Sequence, residues 1–74
     1  MTTHEAAARQ AKATKMANVL LAHGADAQAA AALPSHGRRI VAKLAGTKLP
    51  SETTWAVVVD QLRADALFAG RVAS

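Results

Sequence analysis

Residues 38–59 read RRIVAKLAGTKLPSETTWAVVV, and the way this stretch divides decides the fold. Ile40, Val41 and Leu44 have helical spacing, which predicts a helix with those three on its inward face. Arg39 and Lys43, four apart, then share an exposed edge of that helix. Gly46 is suited to stop it, because glycine takes the left-handed conformation without a Cβ penalty. TKLP follows as a connection, and Ser51 is placed to cap a new helix with Glu52 in its first turn. Trp55, Val58, Val59 and Leu62 recur at three and four residues, giving that helix one apolar face that Ala66 extends. One alternative stays open. TTWAVVV is made largely of β-favouring residues, and as a short strand it would point to a winged-helix variant. The Ser51 cap and the helix-forming DQLRADALFA beyond it favour the helix.

Working outward, Ser35 follows Pro34 as the N-cap of the helix that carries Arg38. A short alanine-rich helix over about 26–32 precedes it, with Asp26 as N-cap and its end at Leu33, since the residue before proline is biased away from helix. A first helix over about 3–23 starts at Thr3 and stops at Gly24. Its two halves differ. HEAAARQAKATK has almost no large apolar residue, whereas Met16, Val19, Leu20 and Leu21 crowd the second half. Residues 1–15 are therefore expected to form a basic arm or frayed helix, ordered chiefly on binding. Residues 16–70 form the helical domain, with the last helix ending by Gly70 and residues 71–74 as a tail. The predicted fold is all-α: a small bundle of about four helices whose third and fourth resemble a helix-turn-helix pair.

The bulk composition narrows the function classes. A chain of 74 residues supports one small domain, and a core of that size often recruits a disulfide, a metal or a partner subunit. With no cysteine, the first is excluded and thiolate metal sites with it, so a partner subunit, in the simplest case a homodimer, is expected. Aromatic residues make up 3% of the chain and alanine roughly a quarter, a balance that opposes an all-β domain. The net charge of +4 favours an anionic partner, whether nucleic acid, an anionic surface or an acidic protein, and does not choose among them. The N-terminal residues lack the continuous apolar run of a secretory signal, and the apolar runs elsewhere are too short to span a bilayer. Cytoplasmic location and no membrane partner are the expectation.

The helix-turn-helix reading rests on VAKLAG. Ala42 and Gly46 have the four-residue spacing such motifs use where the two helices cross, and the segment resembles the V-A-x-x-A-G of bacterial repressor motifs. Trp55 and Val58 would supply the inner face of the second helix. The resemblance covers about a third of the chain. It fits only with a turn widened by two or three residues around Lys48, Leu49 and Pro50. LAGTKLPSETTWAVVVDQL is also similar to segments in small helical proteins of actinobacteria and their phages, which implies an accessory or regulatory protein and transfers no functional residue.

Charge placement supplies the candidate contacts. No Asp or Glu occurs between Ala27 and Ser51, and that interval holds Arg38, Arg39, Lys43 and Lys48. These four are candidates to neutralise phosphates of double-stranded DNA. Ser51, Thr53 and Thr54, at the start of the last helix, are candidates to donate to phosphate or base edges. Arg9, Lys12 and Lys15 form a cationic stripe that an arm would lay along the backbone. Trp55 and Phe68 are the interface candidates, Trp55 also reading as a core anchor. His4, His23 and His36 match no zinc spacing, the carboxylates are scattered, and no glycine-rich phosphate loop is present. No catalytic residue, metal or cofactor is predicted. The function expected first is a small DNA-binding accessory or regulatory protein, of bacterial or phage origin. The alternative is a protein-interaction module, such as a phage effector or adaptor, that binds a host protein while its basic face stays solvated.

Overall fold

The computed structural model describes residues 3–73, with side chains over 4–67. The elements are α1 (Thr3–Ala22), α2 (Ala27–Ala32), α3 (Ser35–Ala45) and α4 (Glu52–Ala73), and no strand occurs among the described residues. The all-α expectation is met, and TTWAVVV is helix. No described helix is long and apolar enough to cross a membrane.

Glycine ends α1 and α3 in the same way. Gly24 (φ 76°) and Gly46 (φ 74°) both turn left-handed. The Gly24 and Ala25 amides donate back to the Leu21 and Leu20 carbonyls at 3.0 and 2.9 Å. The Gly46 and Thr47 amides repeat the pattern onto Lys43 and Ala42 at 3.1 and 2.9 Å. Each pair is a Schellman motif that satisfies carbonyls the helix leaves open. The N-termini are less uniform. Asp26 caps α2 by accepting the Ala29 amide at 2.8 Å, and Ser51 caps α4 by accepting the Thr54 amide at 3.2 Å. Ser35, expected as a cap, is instead the first helical residue. Pro34 holds the cap position with no side-chain bond, its fixed φ already suited to starting a helix.

The core is assembled around α4. Thr54, Trp55, Val58, Val59 and Leu62 are buried along it, and α1 answers with Ala13, Met16, Ala17 and Leu20. The close packing pairs are α1 with α4, α1 with α3, and α2 with α4. Ala30 of α2 is fully buried, and its carbonyl accepts the Trp55 Nε1–H at 2.8 Å. A larger residue at 30 would hold the ring off. Trp55 is therefore a core anchor at 2% exposure.

Three expectations are decided or corrected. First, of the arm or frayed helix expected at the N-terminus, the described residues 3–15 are helical and continuous with the rest of α1. From Gln10 onward it is tied to α4: Thr14 donates to Gln61 Oε1 at 3.1 Å, and Gln61 Nε2 donates to Gln10 Oε1 at 2.9 Å. Ala13, fully buried, lets the helices approach closely where no large side chain is needed. Second, α4 runs through Gly70 to Ala73, because one glycine costs a helix only about 1 kcal/mol and does not by itself end it. Third, α3 buries Val41 and Ala42, while Ile40 and Leu44 stand 49% and 60% exposed. Half-buried Arg38 and Ala45 complete the inner face at the 3.6-residue period, which turns Ile40 and Leu44 away from the core.

Candidate functional site

The two neighbouring arginines of the opening stretch have different surroundings. Arg38 points into the fold, with only 16% of its side chain exposed. Its Nε–H donates to the Leu33 carbonyl at 3.0 Å, and Nη1 donates to Glu52 Oε1 at 2.8 Å. The guanidinium lies 5.2 Å from the centroid of the Trp55 ring. Arg38 thus fastens the α2–α3 turn to the start of α4, using the planar fork and the stacking ability that a lysine lacks. The Glu52 end of the pair is 88% exposed, so its electrostatic part is screened and small. Arg39, one residue on, is exposed and makes no ion pair or hydrogen bond among the described residues.

The other candidate nucleic-acid contacts divide similarly. Thr54 is buried at 7% exposure, and Ser51 uses its hydroxyl to accept the Thr54 amide and to donate to Thr54 Oγ1 at 3.1 Å. Arg38 and Thr54 are therefore structural, and Ser51 is engaged as a cap. Lys43, Lys48 and Thr53 are exposed. On α1, Arg9 and Lys12 are half-buried and Lys15 is exposed. The side chain of Phe68 lies outside the described residues, whereas its neighbour Leu67 is 66% exposed.

The architecture around these residues departs from a helix-turn-helix. The connection spans 46–51, longer than the usual turn of about three or four residues. α3 and α4 are not a close packing pair; α4 lies on α1 and α2. A recognition helix keeps its outer face for the major groove. Among the residues whose side chains are described, the exposed positions of α4 include Glu52, Asp60 and Asp65 against one cation, Arg63, which pairs with Asp60 at 3.6 Å. Phosphates would meet mostly like charge along that part of α4.

A feature absent from the sequence reading occupies the other side of α3. An apolar groove of about 300 Å³ runs between α3 and the second half of α1. Val19 and Leu20 form one wall, Ile40 and Leu44 the other, with Leu33 and Gly37 at its end. Gly37 makes room for Leu33: a Cβ there would lie 2.8 Å from the Leu33 Cγ and Cδ1. His23 closes the α1 side, its Nδ1 2.9 Å from the Val19 carbonyl. The groove lies in the acid-poor part of the chain. On α3, Lys43 lies one turn from Ile40 at the outer edge of the groove, whereas Arg39 is turned further round towards the opposite face. On α1, Lys12 and Lys15 lie on the Val19 side by helical spacing. The signal was present as Gly37, Ile40 and Leu44 at three and four residues. It reads equally well as an inner face until the rotation of α3 is known.

These features define a four-helix protein with an uncovered apolar groove and a basic margin. Comparison with protein-family models, with curated proteins and with solved structures finds no match for the chain.

Proposed function

We propose that the protein is a non-enzymatic protein-interaction module whose α1–α3 groove docks an apolar, acid-flanked surface of a partner protein. The observation that carries this reading is the exposure of Ile40 and Leu44, two large aliphatic side chains one helical turn apart over a preformed groove. A contiguous apolar surface rimmed by charge is the usual form of a protein docking site. The partner's acidity follows from the margin. Lys43, Lys12 and Lys15 would steer a negative surface and repel a positive one.

DNA binding is the second reading, and one observation favours it. Arg39, Lys43 and Lys48 are exposed in a span without acid, so they are available to phosphate. It has fewer residues than the sequence alone offered, because Arg38, Ser51 and Thr54 are engaged within the fold.

One titration series separates the readings. The probes are a helical peptide with leucines four residues apart flanked by glutamates, the same peptide with lysines in their place, and a mixed-sequence DNA duplex. Calorimetry is expected to show binding of the acidic peptide alone, lost in an Ile40→Ser, Leu44→Ser variant that stays folded. Equal binding of both peptides, or binding unchanged by that variant, would overturn the interaction reading. Duplex binding that falls steeply with salt and with Arg39→Ala, Lys43→Ala and Lys48→Ala, yet ignores the serine changes, would put the DNA reading in its place.

A further inference from the structure

The acid-flanked apolar surface that the groove calls for is present on the chain itself. On the opposite flank of α1, a second concavity of about 390 Å³ lies between the α1–α2 turn and α4. Leu21, Ala25, Leu62 and Ala66 line it, and its two charged residues are Asp26 and Asp65. Leu21 is 45% exposed. Asp65 is exposed and makes no ion pair among the described residues. Asp26 gives Oδ1 to the Ala29 amide, which leaves its charge in place. Among the described residues, no cation lines this surface and no anion lines the groove.

From these two surfaces the geometry points to head-to-tail self-association, the α1–α3 groove of one copy receiving the Leu21–Asp65 surface of a second copy. The inference rests on the reading of the groove as a docking site and names its occupant. Charge decides the mode. A two-fold contact either sets a patch against itself or needs both patches on one side of the molecule. Groove on groove would oppose Lys43 to its own copy, and acidic surface on acidic surface would oppose Asp65 to Asp65. The two patches do not share one side, because they face different directions from α1. Only groove on acidic surface pairs opposite charge over both apolar centres.

The position of the two surfaces sets the kind of assembly. Val19 and Leu21 are two residues apart on α1, hence about 200° apart around the helix axis, so the surfaces look in different directions. One copy cannot satisfy its own groove. A bound pair keeps one groove and one acidic surface open, and growth continues into a ring or a filament. This also bears on the small core: a 74-residue chain without disulfides gains apolar burial by assembling.

Sedimentation velocity over a wide concentration range, with variants that each remove one surface, tests the inference. Ile40→Ser removes the groove side and Leu21→Ser the acidic side. Both positions are exposed, so the fold is retained, and circular dichroism checks it. Lys43→Glu and Asp65→Lys are the charge counterparts and remove no apolar core. The unaltered chain is expected to form dimers and larger species that weaken with salt, and each variant alone to lose association by about tenfold or more. A mixture of Ile40→Ser and Leu21→Ser is expected to form a one-to-one dimer that grows no further, because each supplies the surface the other lacks. A Leu21→Ser protein that still dimerises alone would show a two-fold contact and overturn the head-to-tail mode. A chain that stays monomeric at every concentration would overturn self-association altogether. In that case acidic-peptide binding would still be decided by its own titration, so the docking reading and this inference fail separately.

Discussion

α3 and α4 are both amphipathic helices drawn from one short stretch, yet they use their apolar residues differently. On α4, Trp55, Val58, Val59 and Leu62 are all covered, by α1 and α2. On α3, Val41 and Ala42 are covered, while Ile40 and Leu44 are left at the surface. The difference lies in the number of neighbours. α4 is held between two helices and needs a wide apolar face. α3 packs closely on α1 alone, so a narrow face of small residues suffices and its larger aliphatics remain beside a groove. A wide apolar stripe with one neighbour leaves surface for something else to cover.

The comparison is broken most directly by truncating one leucine on each helix. Leu62→Ala removes a side chain that is 2% exposed and is expected to destabilise by about 2–5 kcal/mol. That is a large share of the stability available to a domain this small. Leu44→Ala, at a position 60% exposed, is expected to change the stability of the single chain by no more than about 0.5 kcal/mol. Denaturant unfolding at concentrations where the chain is monomeric measures both. Comparable losses at the two sites would mean that α3 is packed much as α4 is, with no open groove.

The arginine pair sharpens the same contrast at lower cost. Arg38→Ala removes the bond to the Leu33 carbonyl, the Glu52 contact and the stacking over Trp55, together worth about 1–3 kcal/mol in a largely buried setting. The Glu52 contribution is the smallest of the three, because that carboxylate is mostly in water. Arg39→Ala is expected to alter stability by less than about 0.5 kcal/mol and to act on binding instead. Thermal melts of the two variants side by side check this, and a shift of equal size in both would contradict the assignment of Arg38 as a structural tie. Arg38→Lys separates charge from shape. It keeps the cation but loses the fork, so it is expected to recover only part of the loss.

Much of the fold was legible because its signals are local. Gly24 and Gly46 as helix stops, Asp26 and Ser51 as caps, and the break at Leu33 and Pro34 each depend on one or two residues and the backbone beside them. The docking of residues 10–15 was not legible. It rests on Ala13 and on Gln10, Thr14 and Gln61, which meet across nearly fifty residues of chain and carry no hydrophobic pattern. The candidate site was harder still. Ile40, Val41 and Leu44 satisfy helical spacing for several rotations of α3, and the neighbour that selects one is α1, distant in sequence. Arg38 and Arg39 are the same letter, and only that rotation separates a tie within the fold from a surface cation. Ser51 and Thr54 show the same ambiguity: a residue type suited to donating to phosphate is equally suited to capping a helix.

Gly37 gives the smallest effect on stability and the most selective test of the groove. Gly37 is the third residue of α3, in its first turn, where alanine is favoured over glycine by less than the roughly 1 kcal/mol of a helix interior. Against this, the alanine Cβ would sit 2.8 Å from Leu33 Cγ, so Leu33 must move. Leu33 is half-buried at the end of the groove, packed against the core cluster rather than within it, and its displacement loses only part of its contacts. The two terms oppose each other, and Gly37→Ala is expected to leave stability within about 1 kcal/mol of the starting value. The groove has no such compensation. Moving Leu33 changes the wall that a docked apolar side chain would meet, so acidic-peptide binding and self-association are expected to weaken while the melt scarcely moves. A variant that melts alike and binds alike would show that the docked surface does not reach the Leu33 end. The contact would then be confined to the part of the groove between Val19 and Leu44.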